Sequence, residues 1–89
     1  MESLIAEAVR HGITEQAARS MVEQTVLGSV QMVIKHQEQQ IAQLRAAVTS
    51  KGGTTFAGLN QMTAGNFEGV MQNVVQASLD RTVELEQMI

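Results

Sequence analysis

The chain has 89 residues, a mass of 9.6 kDa and a formal net charge of −3, so it is one domain at most. It has no Cys, Trp or Tyr and only two Phe, which excludes disulfides and thiolate chemistry and removes the side chains that bury most area each. Its cations, Arg10, Arg19, Lys35, Arg45, Lys51 and Arg81, are scattered through an acidic chain, which argues against a nucleic-acid partner.

From Ser3 to His11, Leu4, Ile5, Ala8 and Val9 share one helical face. Gly12 follows as a C′ residue, where a left-handed backbone is easiest without a Cβ. Thr14 reads as an N-cap, with Glu15 in the first turn where a negative charge suits the helix dipole. Ala18, Met21, Val22, Thr25, Val26, Ser29, Met32 and Val33 then keep a 3.6-residue period. Gly28 lies inside this helix at a cost of about 1 kcal/mol relative to Ala. A Gly retained beside Ser29 predicts that something packs closely there. A bend is expected near residues 37–40. The Gln-rich stretch 37–43 reads as a solvated helix face, because Ile41, Leu44 and Val48 supply an apolar stripe.

Residues 48–55, Val-Thr-Ser-Lys-Gly-Gly-Thr-Thr, form the one clear loop. A short helix follows, with Phe56, Leu59, Met62 and Thr63 on its buried side. Gly65-Asn66 ends it, and Asn66 is placed to cap the next helix. The last helix is the most regular, through Phe67, Val70, Met71, Val74, Val75, Ser78, Leu79, Thr82 and Leu85. No segment alternates with period two over strand length. The chain reads as all-α, with about five helices.

No apolar run approaches the ~20 residues of a membrane span. Met1-Glu2-Ser3-Leu4 lacks the basic and apolar regions of a signal peptide, so a cytoplasmic protein with no membrane partner is expected. Folding at this mass buries roughly 63% of the extended chain's surface. Such a small, aromatic-poor core predicts that the chain shares it with another copy or another domain.

Chemistry is concentrated in the loop. The first turn of a helix leaves backbone N–H groups unpaired and carries partial positive charge. Gly52 and Gly53 let the backbone approach a ligand, Ser50, Thr54 and Thr55 add hydroxyls, and Lys51 adds a charge. The expected guest is a small carboxylate or phosphate. An ordinary loop with a Thr N-cap is the competing reading. The spacing is not that of a Walker A loop, and no G-x-G-x-x-G is present. His11 and His36 lack partners at metal-ligand spacing, and the two-residue step from His36 to Glu38 would separate them on a helix. No metal or Ser-triad site is expected. Met21, Met32, Met62, Met71 and Met88 lie on apolar stripes, as core or interface filling.

Residues 48–59, Val-Thr-Ser-Lys-Gly-Gly-Thr-Thr-Phe-Ala-Gly-Leu, resemble the signature loop of pyrroline-5-carboxylate reductase, a V-T-S-P-G-G-T-T-like run that opens a helix. Ala17-Ala18 through Gln24-Thr25-Val26-Leu27-Gly28-Ser29 resembles the family's A-x-x-L-x-x-Q-T-v-x-G-a helix. Gly65-Asn66-Phe67 resembles its G-f turn. Residues 77–85, Ala-Ser-Leu-Asp-Arg-Thr-Val-Glu-Leu, resemble its A-x-x-x-R-s-x-E-L ending. The likeness covers nearly the whole chain in order.

The resemblance implies a two-domain enzyme that reduces 1-pyrroline-5-carboxylate to proline. An N-terminal Rossmann domain would bind NAD(P)H. The helical domain, of the 6-phosphogluconate-dehydrogenase C-terminal-like kind, would form an interlocked homodimer, with higher assembly left open. By motif, Ser50, Gly53, Thr54 and Thr55 would clamp the substrate carboxylate, and Thr55 would also serve catalysis near the ring nitrogen. The faces of residues 17–34 and 67–85 would build most of the shared interface. Residues 1–89 would form one dimerisation and substrate-loop domain without its Rossmann partner. This chain alone would then bind no cofactor and be inactive. Lys51 stands where the family usually has Pro, which predicts a more mobile loop; the lysine charge would point to solvent in preference to attracting the carboxylate. The alternatives are a stand-alone helical oligomerisation module or degenerate remnant without a ligand, and a non-reductase relative among helical dehydrogenase domains.

Overall fold

The computed structural model describes residues 1–88, leaving Ile89, the last residue of the expected domain, outside the description. The chain is all-α with five helices: α1 (Glu2–Arg10), α2 (Glu15–Lys35), α3 (Ile41–Ala47), α4 (Thr54–Ala64) and α5 (Phe67–Gln87). They fall into two compact units, Met1–Arg45 and the residues from Ala46 onward.

In the first unit α1 packs on α2. The joint between them is built as the sequence predicts. Gly12 has φ 97°, its N–H donates to the Val9 carbonyl, and the Ile13 N–H donates to Ala8. That pair of bonds is a Schellman motif, and half-buried Ile13 is its apolar C″ residue. Thr14 is extended, and its hydroxyl accepts the Ala17 N–H at 3.3 Å as the N-cap of α2. Ala18 and Val22, one turn apart on α2, are buried. Of the predicted α1 face, Ile5 and Ala8 are half-buried while Leu4 and Val9 stay exposed.

Helix α2 ends at Lys35, and residues 36–40 form the expected bend. Two readings change here. Gln37, Gln39 and Gln40 lie on a turn rather than on a helix face. The Gln43 side chain accepts the Gln40 N–H at 2.8 Å, which is half of a capping box for α3. His36 and Glu38, separated on an ideal helix, meet at 3.3 Å because both lie beyond the helix end.

The Glu38 carboxyl is held below the usual carboxylate range, first by a hydrogen bond from its own backbone N–H and then by the His36 ring. A depressed folded pKa gives stabilisation that is complete above the ordinary glutamate pKa and is lost as pH falls through the depressed value. A carbon-detected NMR titration should place the Glu38 midpoint below that of a free glutamate. A midpoint at the free value would mean that the turn does not hold the carboxylate.

Gly28 has open space where a Cβ would stand, so the close neighbour expected there is not found among the described residues of this chain. Gly28→Ala should therefore stabilise α2 by about 1 kcal/mol in the single chain. Thermal melts at low concentration check this. A destabilised variant would mean that another surface occupies that space.

In the second unit α4 packs on α5. Asn66 joins them with φ 56°, and its N–H donates to Thr63. The expectation for Asn66 changes: its side chain caps nothing. It takes the left-handed C′ position of α4 instead, while its carbonyl accepts the Val70 N–H at the start of α5. Leu59 is half-buried, but Phe56, Met62 and Thr63 are exposed. No residue of α4 or α5 is buried.

Candidate functional site

The loop that the sequence singles out spans the gap between α3 and α4, and from Ser50 on it is a defined turn. The Gly53 N–H donates to the Ser50 carbonyl at 3.0 Å, and Gly52 has φ 79°. Asn66 is the one non-glycine with positive φ among the described residues, so Lys51 has a negative φ. Those signs define a type II β-turn, with Lys51 second and Gly52 third. Gly52 is required there, and the predicted clamp set left it out. The signal was a Ser followed two residues later by Gly-Gly.

The turn delivers the chain into α4. Gly53 is the N-cap, extended at φ −82° and ψ 179°, and no side chain caps the helix. The Gly53 carbonyl accepts the Ala57 N–H at 3.0 Å, the first bond of α4. The N–H groups of Thr54, Thr55 and Phe56 precede that bond and stay available. The hydroxyls of Ser50, Thr54 and Thr55 make no hydrogen bond to a described residue, and all three residues are exposed. The Gly53 N–H, in contrast, is committed to the turn.

The local charge matches an anion. No Asp or Glu occurs between Glu38 and Glu68, and Arg45 and Lys51 are the charged residues of that stretch. The first turn of α4 holds no acidic residue. A chain of net negative charge thus presents a carboxylate-free segment, with a helix N-terminus and hydroxyl donors at its centre. Among the described residues no group of three His, Asp or Glu side chains could hold a metal ion. Among the same residues no helix is long and apolar enough to cross a membrane.

Lys51 occupies the position of a type II turn that proline fits best, because proline presets φ near −65°. Lys51→Pro should stabilise the chain by about 0.4–1 kcal/mol, through a less disordered unfolded state. Urea unfolding checks this, and an unchanged or lowered midpoint would mean that Lys51 does not hold the proline geometry.

Residues 1–85 match the family described as pyrroline-5-carboxylate reductase dimerisation. The pyrroline-5-carboxylate reductase of Vibrio alginolyticus is 35% identical over 88 residues, which is 99% of this chain and 32% of that protein. That of Pisum sativum is 39% identical over 88 residues, 96% of this chain and 31% of that protein. A crystal structure of Plasmodium falciparum pyrroline carboxylate reductase with NADP bound is similar with a TM-score of 0.79 and 37% identity, covering 85% of this chain and 30% of that one. The chain spans about a third of the length of these relatives.

Proposed function

This chain belongs to the pyrroline-5-carboxylate reductase dimerisation family, and on that premise we propose that it is the dimerisation and substrate-binding part of a reductase that converts 1-pyrroline-5-carboxylate to proline with NAD(P)H. The observation that carries the proposal is the uncapped N-terminus of α4, with free hydroxyls around it in a carboxylate-free segment. A carboxylate there would accept the N–H groups of Thr54 and Thr55 and the hydroxyls of Ser50 and Thr54. The clamp remains Ser50, Gly53, Thr54 and Thr55, with Gly53 acting through its bare Cα rather than its N–H. The Thr55 hydroxyl would face the ring nitrogen, where an O–H can donate to a nitrogen lone pair or accept from an iminium N–H.

The residues present do not fit a dinucleotide. No strand occurs among the described residues, and no G-x-G-x-x-G occurs in the sequence. NAD(P)H would therefore be held by a different domain, and this chain alone would be inactive. The exposed apolar faces of α2 and α5 would meet their equivalents in a homodimer. A cytoplasmic setting suits such a reductase.

The test is an NMR titration of the chain with L-proline or tetrahydro-2-furoic acid. Shifts should concentrate on Ser50–Phe56. An undisturbed loop at millimolar ligand, in a chain that still dimerises, would favour the second reading, an oligomerisation module with no ligand. The many exposed apolar residues support that reading equally well.

A further inference from the structure

Ser50 and Gly53 are three residues apart, and the turn folds one over the other. A Cβ placed on Gly53 would stand 2.5 Å from the Ser50 hydroxyl oxygen and 3.2 Å from the Ser50 carbonyl oxygen. The first distance is one that real Cβ atoms essentially never show. The Ser50 side chain therefore occupies the volume that any other residue at position 53 would fill. Backbone strain is not the reason for this glycine, since φ −82° and ψ 179° suit any L-residue. Its neighbour is the opposite case: Gly52 needs its positive φ, yet a Cβ on it would meet nothing within 4 Å. The two adjacent glycines thus serve different ends, one for conformation and one for space.

Nothing else holds the Ser50 hydroxyl. It makes no hydrogen bond to a described residue, and Ser50 is exposed. A free serine side chain on a surface turn samples all three staggered rotamers. Here one of them lies in the hollow over Gly53, against the N-terminal rim of α4. We infer that Gly53 is a positioning residue: its missing Cβ is the space that holds the Ser50 hydroxyl at the rim of α4. That the hydroxyl then meets a carboxylate rests on the function proposed above.

Gly53→Ala must move the hydroxyl, because the oxygen is the free end of a one-bond side chain and gives way more easily than the backbone. Gly53→Ser adds the same Cβ while keeping a favoured N-cap residue, so it separates displacement from loss of the cap. The first measurement needs no ligand. The Hα–Hβ couplings of Ser50 in the labelled chain should report the rotamer over Gly53 as populated, and its loss in both variants. Unchanged couplings in folded Gly53→Ala would overturn the inference.

The second measurement is a double-mutant cycle read by L-proline titration. Gly53→Ala should weaken binding about tenfold in the native background, the loss of one hydrogen bond to a charged group. It should have no effect in a Ser50→Ala background. Equal losses in both backgrounds would mean that Gly53 acts directly or through the turn, and would overturn the inference. If the native chain binds no L-proline, the proposed function fails, while the Ser50 couplings still decide the role of Gly53.

Discussion

Val75→Glu should convert the proposed dimer to a monomer, and take much of its stability with it. Met71, Val75, Leu79 and Val83 follow one another at four-residue steps along α5, and they remain 47%, 55%, 57% and 50% exposed. If the chain worked alone, Val75→Glu would be a surface change worth within about 0.5 kcal/mol. Glu is even the better helix former of the two. If the stripe is covered by a second copy, the same change removes about 2 kcal/mol of apolar burial from each protomer. By two-fold symmetry the loss is counted twice, and two carboxylates are buried besides. The dimer should then weaken by at least about a thousandfold. Sedimentation velocity across a dilution series reads the mass directly. The melting temperature of the native chain should also rise with concentration, and that of Val75→Glu should not. A native chain that stays monomeric and folded at all concentrations, or a variant with unchanged mass and melting, would remove the dimer from the account.

The same surface explains which parts of the fold were legible in the sequence. Local chemistry was readable because each device completes itself within a few residues. Gly12 closes α1 and Thr14 opens α2, each through hydrogen bonds to close neighbours. The failures are also local, and they have causes. Asn66 satisfied the composition of an N-cap but took the left-handed position that ends α4, because one residue had to finish one helix and start the next. His36 and Glu38 were placed on a helix that had already stopped at Lys35. Burial was the part that periodicity could not supply. The spacing of Phe56, Leu59 and Met62 marks an apolar face, but only Leu59 is even half-buried. A 3.6-residue period reports that a face is meant to be covered, without reporting whether the cover comes from the same chain. For α5, where nothing is buried, the single chain does not supply it. The candidate site divides in the same way. Its residue types and its helix N-terminus were legible. The use of the Gly53 N–H within the turn, and the packing of Ser50 into the space over Gly53, needed coordinates.

Gly52→Val should disable the proposed anion site while leaving the helices in place. The turn from Ser50 to Gly53 depends on Gly52 at φ 79°, a region where an L-residue costs about 1–2 kcal/mol and a β-branched one more. No neighbour stands within 4 Å of the added Cβ, so that atom meets no crowding and the effect is chiefly conformational. The exposed loop can relieve that strain by opening. Opening breaks the bond from the Gly53 N–H to the Ser50 carbonyl and carries Ser50 away from the rim of α4. The expected record is a loss of hydrogen-exchange protection at the Gly53 amide and a drop of at least about tenfold in L-proline affinity, the worth of one displaced hydrogen bond to a charged group. Circular dichroism should show the helices intact, and global stability should fall by no more than about 2 kcal/mol. The decisive control is D-alanine at position 52, introduced by chemical ligation. A D-residue prefers positive φ, so it should restore both the protected amide and the affinity while still adding a Cβ. If L-Val and D-Ala harm the site equally, a side chain at position 52 blocks the ligand, and the left-handed turn is not what the site requires.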